Sequence, residues 1–156
     1  MALVTQAFFD TSILLAGLIE LGETSELPQK LMDGVAAGKV GQPCTAWHCC
    51  LEFYSVSTRL PEEFRLAPQE ALRLIEEELF ARFQVHQLPR TRRKNFFQFA
   101  VRDKVIGGRI YDSHIAEIAK SAGVQLVVTE NQRDFVGLLR HGIRVLSADE
   151  FLDELR

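Results

Sequence analysis

Apolar and polar residues follow two rhythms along this chain: short apolar runs, and longer stretches that repeat every 3.6 residues. The clearest example spans residues 109–135. Ile115, Ile118, Ala119 and Ala122 share one helical face, and Gly123 stands where a helix C-terminus takes a left-handed residue. Val124, Leu126, Val127 and Val128 then form the short β-branched run of a strand buried on both faces. The polar stretch TENQRD, residues 129–134, follows at the carboxyl end of that strand, the edge where open α/β sheets hold ligands.

The same reading predicts the remaining elements. A strand through Ala7, Phe8 and Phe9 ends on Asp10. A nearly all-apolar helix over 13–19 follows, capped by Thr11 or Ser12 and either deeply packed or facing a partner. Pro28 starts a helix over 29–37, which Gly38 ends. A strand from Val40 stops by Pro43, and Thr45 caps a long helix over 46–60. An amphipathic helix carries Ala71, Leu72, Ile75 and Leu79 inside and Glu76, Glu77 and Glu78 outside. Phe83, Val85 and Leu88 mark a third strand, and a helix from Thr91 brings Phe96, Phe97 and Phe99 to the core. A short helix through Leu138, a strand over 143–146 and a helix capped by Ser147 complete the chain. Strands alternating with helices predict one α/β domain over 1–156 with a mostly parallel central sheet.

Composition narrows the function. The net charge of −3 over 156 residues excludes a globally basic nucleic-acid binder. Cys44, Cys49 and Cys50 lack a metal-ligand rhythm and read as reduced thiols. With neither a signal peptide nor a membrane-spanning run in the sequence, a cytoplasmic location and no membrane contact are expected.

Four acids stand in apolar surroundings or at element ends. Asp10 closes the first strand, Glu52 lies within the long helix, Asp112 opens the central helix and Asp134 follows the buried strand. Buried carboxylates need cations or a metal. If the four converge they repel one another, and a divalent ion removes that conflict. Mg²⁺ or Mn²⁺ suits an all-oxygen set.

The segments FFDTSILLAGL, TAWHCCLEFYSV, GGRIYDSHIAEIAKSAG and LVVTENQRDF occur in an order that resembles PIN-domain ribonucleases, most closely the VapC-type toxins of toxin–antitoxin pairs. The resemblance covers essentially the whole chain. It implies an α/β/α sandwich and a Mg²⁺- or Mn²⁺-dependent endoribonuclease that hydrolyses RNA phosphodiester bonds without a covalent enzyme intermediate. Carried over by position, Asp10, Glu52, Asp112 and Asp134 are its catalytic and metal-holding acids. Asn131 orients a ligand or water, and Thr11 and Thr129 hydrogen-bond to an acid or phosphate. A cognate antitoxin and a homodimer are the implied partners, with the apolar first helix and the amphipathic helix near 70–81 as candidate surfaces. Ser113 departs from the family, which more often has a small apolar residue there.

Each residue also has a plainer use. The lesser alternatives are helix caps for Asp10 and Asp134, a surface residue for Glu52, and a charge favoured at a helix N-terminus for Asp112. The four histidines lack ligand spacing, His114 being nearest to a candidate acid. The basic run RTRRK, residues 90–94, is a solvated helix start or an RNA contact. Arg109, three residues before Asp112, is the better candidate for a phosphate. Rival readings are a PIN-like module that binds RNA or protein without cleaving, and a PIN nuclease acting in RNA processing outside a toxin pair. Aspartyl-phosphate chemistry fits poorly, since a phosphatase of the haloacid dehalogenase type needs an acid where Ser12 stands.

Overall fold

The computed structural model describes residues 6–156. Strand β1 (Gln6–Phe9) leads into helix α1 (Thr11–Leu18) and then α2 (Glu26–Ala36). Next come β2 (Gln42–Ala46), α3 (Trp47–Ser57) and α4 (Pro68–Leu74), which continues as a π-helical turn, Ile75–Phe80. Strand β3 (Gln84–His86) precedes α5 (Arg93–Arg102) and α6 (Arg109–Ser121). The chain ends with β4 (Leu126–Val128), a 3₁₀ helix (Gln132–His141), β5 (Arg144–Leu146) and α7 (Ala148–Glu154).

All four strand pairings are parallel, in the order β3-β2-β1-β4-β5. The chain therefore builds outward from β1 on one side, then returns to add β4 and β5 on the other. That reversal falls between β1 and β4, the position at which open parallel sheets form a ligand crevice. In register, Phe9 sits beside Val128, so Asp10 and Thr129 leave the sheet together.

The core forms where the apolar rhythms meet. Phe8, Phe9, Phe53, Phe151, Leu126 and Val127 are fully buried. Phe9 meets Phe83 and Phe151 edge-on, with ring centroids 5.3 and 6.2 Å away. The apolar α1 turns its surface inward. A side chain at Gly17 would fall onto Met32 Cγ and within 3.0 Å of the Pro28 carbonyl, so glycine lets α1 and α2 lie this close. Helix α1 packs against α2 and α3, burying Ile13, Leu14 and Ala16 and leaving Leu15 and Leu18 partly covered.

Several boundaries differ from the sequence pattern. The second strand begins at Gln42 and runs through Pro43 to Ala46, where a stop at Pro43 was expected. Thr45 consequently does not cap α3; its hydroxyl is buried and donates to the Phe9 carbonyl at 2.7 Å. A tertiary bond between strands has outcompeted local capping. Helix α2 starts two residues before Pro28, and Asp10 rather than Thr11 or Ser12 takes the N-cap position of α1. The Phe cluster of α5 splits. Phe96 is buried, but Phe97 and Phe99 are 63% and 41% exposed. Gly123 does adopt φ +72° after α6, and Ser147 caps α7 through a reciprocal pair with Glu150.

Candidate active site

Asp10 is only 5% exposed and stands at the carboxyl end of β1. Its backbone N–H continues the sheet by donating to the Val128 carbonyl at 3.1 Å. Its side chain makes no capping bond to α1. Instead Oδ2 accepts hydrogen bonds from Thr129 Oγ1 at 2.8 Å and Ser12 Oγ at 3.1 Å. Thr129 in turn accepts from the Asn131 N–H at 2.9 Å, and Ser12 accepts from the Glu130 N–H at 3.2 Å. The loop after β4 is thus laced to the start of α1. Ser12 was read from the sequence only as a helix cap, and its part in holding Asp10 emerges only with the fold.

Glu52 comes from the second turn of α3, one helix away. Thr11 Oγ1 donates to its Oε1 at 2.7 Å, aiming the carboxylate toward Asp10. Asp112 lies in the first turn of α6, and Asp134 lies exposed in the first turn of the 3₁₀ helix. Arg109 opens α6, while Asn131 occupies the N-cap position of the 3₁₀ helix, bound through its backbone alone.

Charge links the acids in pairs, Glu52 acting on Asp10, and Asp134 and Asp10 acting on Asp112. Burial pushes the Asp10 carboxyl above its ordinary range. Hydrogen bonds from Thr129, the Thr11 backbone and Ser12 oppose the shift, and the nearby Glu52 charge adds to it. Asp112 is also raised, first by burial, then by Asp134 and Asp10, with Arg109 pulling the other way. Among the described residues, none of the four acids forms an ion pair with lysine or arginine. The site is a concentration of negative charge, with Arg109 acting on Asp112 but no ion pair to the four acids among the described residues.

A divalent ion fits this donor chemistry loosely. Among the described residues, no three His, Cys, Asp or Glu side chains close around one point as a finished ligand set. Mg²⁺ does not require one, because it binds through one or two carboxylates and retains several waters.

A second feature escaped sequence reasoning. His48 on α3 and His114 on α6 meet with their Nδ1 atoms 2.8 Å apart. One ring must donate and the other accept, so the two carry opposite neutral tautomers. Burial lowers the pKa of both rings, and Arg93 and His48 lower His114 further. The pair sits beside a largely apolar cavity of about 540 Å³ lined by Trp47, Leu51, Phe97 and Tyr111. Arg93, from the basic run, also lines it, whereas Arg92 pairs with Glu117 at 3.8 Å. Ser12 is similarly invisible as a partner in the sequence, because both contacts are made across the fold.

The family model for the PIN domain matches residues 6–133. The chain belongs to the PIN domain family. Ribonuclease VapC27 of Mycobacterium tuberculosis is 34% identical to this PIN domain over 88 residues, a match covering 53% of this chain and 58% of that protein. The match thus spans little more than half the length of the curated relative. Among solved structures, VapBC-1 from nontypeable Haemophilus influenzae superposes with a TM-score of 0.64 at 16% identity, covering 93% of this chain and 99% of the other. VapC20 of M. tuberculosis, a Sarcin-Ricin loop cleaving toxin, gives a TM-score of 0.59 at 16% identity, covering 78% and 86%. At these identities the two structures establish the shared fold. The five-stranded parallel sheet is that of a PIN-like α/β/α sandwich.

Proposed function

We propose that this PIN domain is a divalent-metal-dependent endoribonuclease and the toxin of a toxin–antitoxin pair. The observation carrying this reading is the convergence of Asp10, Glu52, Asp112 and Asp134 at the switch point without an ion-paired counter-charge. A merely structural cluster would be stabilised by an internal cation or replaced by neutral residues. A complete acid set also favours cleavage over a module that only binds. The relative named a ribonuclease and the fold shared with VapC20 and VapBC-1 support the same assignment.

In this reading, Asp10, Glu52 and Asp112 hold Mg²⁺ or Mn²⁺, and Asp134 completes the site from the opposite loop. When bound, the ion supplies charge neutralisation at the phosphoryl group and eases ionisation of water. The protein's own groups do the positioning. Thr129 and Ser12 fix Oδ2 of Asp10, Thr11 fixes Oε1 of Glu52, and Arg109 offers a cation near Asp112 for a phosphate oxygen. Asn131 orients a ligand or water.

The partners follow. An antitoxin covers the acids with an arginine or lysine, replacing the metal's charge. A second copy packs on the face exposing Trp47, Leu51 and Tyr111. No helix among the described residues is long and apolar enough to cross a membrane. RNA as substrate and reduced thiols accord with the cytoplasm. The test is incubation of antitoxin-free protein with a total RNA pool in Mn²⁺, Mg²⁺ or chelator. Discrete metal-dependent products are expected; intact RNA under every condition would refute the nuclease reading.

A further inference from the structure

A second groove borders the candidate acids at Asp134. It lies between α5, α6 and the 3₁₀ helix, has a volume of about 590 Å³, and includes Asp134 in its wall. Three elements each contribute a cation to its lining: Arg102 from α5, Lys120 from α6 and Arg140 from the 3₁₀ helix. Of the acids in the same lining, Asp103 is ion-paired with Arg102 itself at 3.7 Å, and Glu117 is paired with Arg92 at 3.8 Å. Lys120 and Arg140 have no ion-pair partner among the described residues. The Arg102 guanidinium stacks over the Phe99 ring, 4.4 Å from its centroid, and that ring remains partly exposed.

We propose that this groove holds the single-stranded RNA flanking the scissile phosphate, with Lys120 and Arg140 on backbone phosphates and the Phe99–Arg102 stack against a base. The inference rests on the nuclease reading and extends it to substrate binding. Two observations favour RNA over an acidic peptide. The groove wall includes Asp134, one of the candidate catalytic acids, so a strand cut there passes its mouth. It also pairs cations with a planar aromatic–guanidinium surface, which bases stack on and carboxylates do not need. A duplex would keep its bases stacked internally and leave that surface unused.

The test is binding of a fluorescent 12-nucleotide single-stranded RNA by the full chain in chelator, titrated over a range of salt. The Lys120→Gln/Arg140→Gln double variant is expected to bind roughly 10-fold more weakly. Its plot of log K against log salt should be shallower by about 1.4, corresponding to two phosphate contacts at ~0.7 each. Phe99→Ala should weaken binding about 5- to 10-fold at an unchanged slope. Arg73→Gln, on the distant α4, controls for general charge loss and should change neither. Unchanged affinity and slope in the double variant would overturn the groove assignment, as would an equal loss in Arg73→Gln. Loss of binding to an acidic peptide, with RNA binding unaltered, would assign the groove to a protein partner instead. Metal-dependent cleavage with unaltered RNA binding by the variants removes this inference alone. Neither binding nor cleavage by the parent removes both this inference and the nuclease reading.

Discussion

The hydroxyl of Thr129 donates to Oδ2 of Asp10 at 2.8 Å, joining the ends of β4 and β1 across the point where the sheet reverses its order. The two residues are far apart in sequence, but parallel register places them side by side. This bond is the main polar compensation for a carboxylate that burial otherwise drives toward its neutral form. Thr129→Val keeps the shape and removes the donor. It should lower cleavage about 10-fold and move the acid limb of the pH–rate profile to higher pH, since Asp10 would then ionise less readily. A profile displaced to lower pH would contradict this role.

Asp112 is destabilised in the metal-free protein by its surroundings, with Asp134 and Asp10 adding to the effect of burial. Asp112→Asn removes one charge from the cluster. Thermal unfolding in chelator should therefore show the variant equal to or more stable than the parent, by up to about 1 kcal/mol. Mn²⁺ should raise the melting temperature of the parent and have much less effect on the variant. A destabilised variant that still responds fully to Mn²⁺ would place the ion elsewhere.

Burial pushes the thiols of Cys44 and Cys49 up to about 12 and that of Cys50 up to about 11. Thiolate is the reactive form, so at pH 8 the folded protein should resist alkylation by a maleimide over minutes. All three should react rapidly after denaturation. Prompt labelling of the native protein at any of the three would show that its core opens locally.

The face displaying Trp47 and Tyr111, 44% and 58% exposed, is proposed to bury itself against a second copy. Leu51→Glu, in the same patch, should convert a dimer to a monomer in sedimentation without lowering the melting temperature of the fold by more than a few degrees. An unchanged sedimentation coefficient would leave this surface without its proposed occupant.

The fold was largely legible because its sheet is buried on both faces. The apolar runs at Phe8–Phe9 and at Val127–Val128 therefore stand out, and Gly123 and Ser147 punctuate their neighbours. Strand β2 was harder to place. Pro43 and Ala46 are poor strand formers that leave only Cys44 and Thr45 between them, and the strand exists because β1 and β3 pair with it on either side. At the site, Asp10 and Asp112 were visible as acids at element ends, and what brings them near each other is the packing of α6 against the sheet and α3. The His48–His114 contact had no sequence signal, since 66 residues separate two rings that meet only when α3 and α6 pack. The split of the α5 phenylalanines has a similar cause. A helix covered on only one side leaves Phe97 and Phe99 outside, however apolar the segment reads.

The most direct measurement of the central claim is cleavage of an RNA pool by the parent and by Asp112→Asn at equal concentration, with Mn²⁺, with Mg²⁺ and with chelator. The parent should give discrete products only with metal, and the folded variant should lose at least 100-fold in rate under the same conditions. Cleavage by the variant at the parent's rate, or by the parent in chelator, would contradict an acid cluster that works by holding a divalent ion.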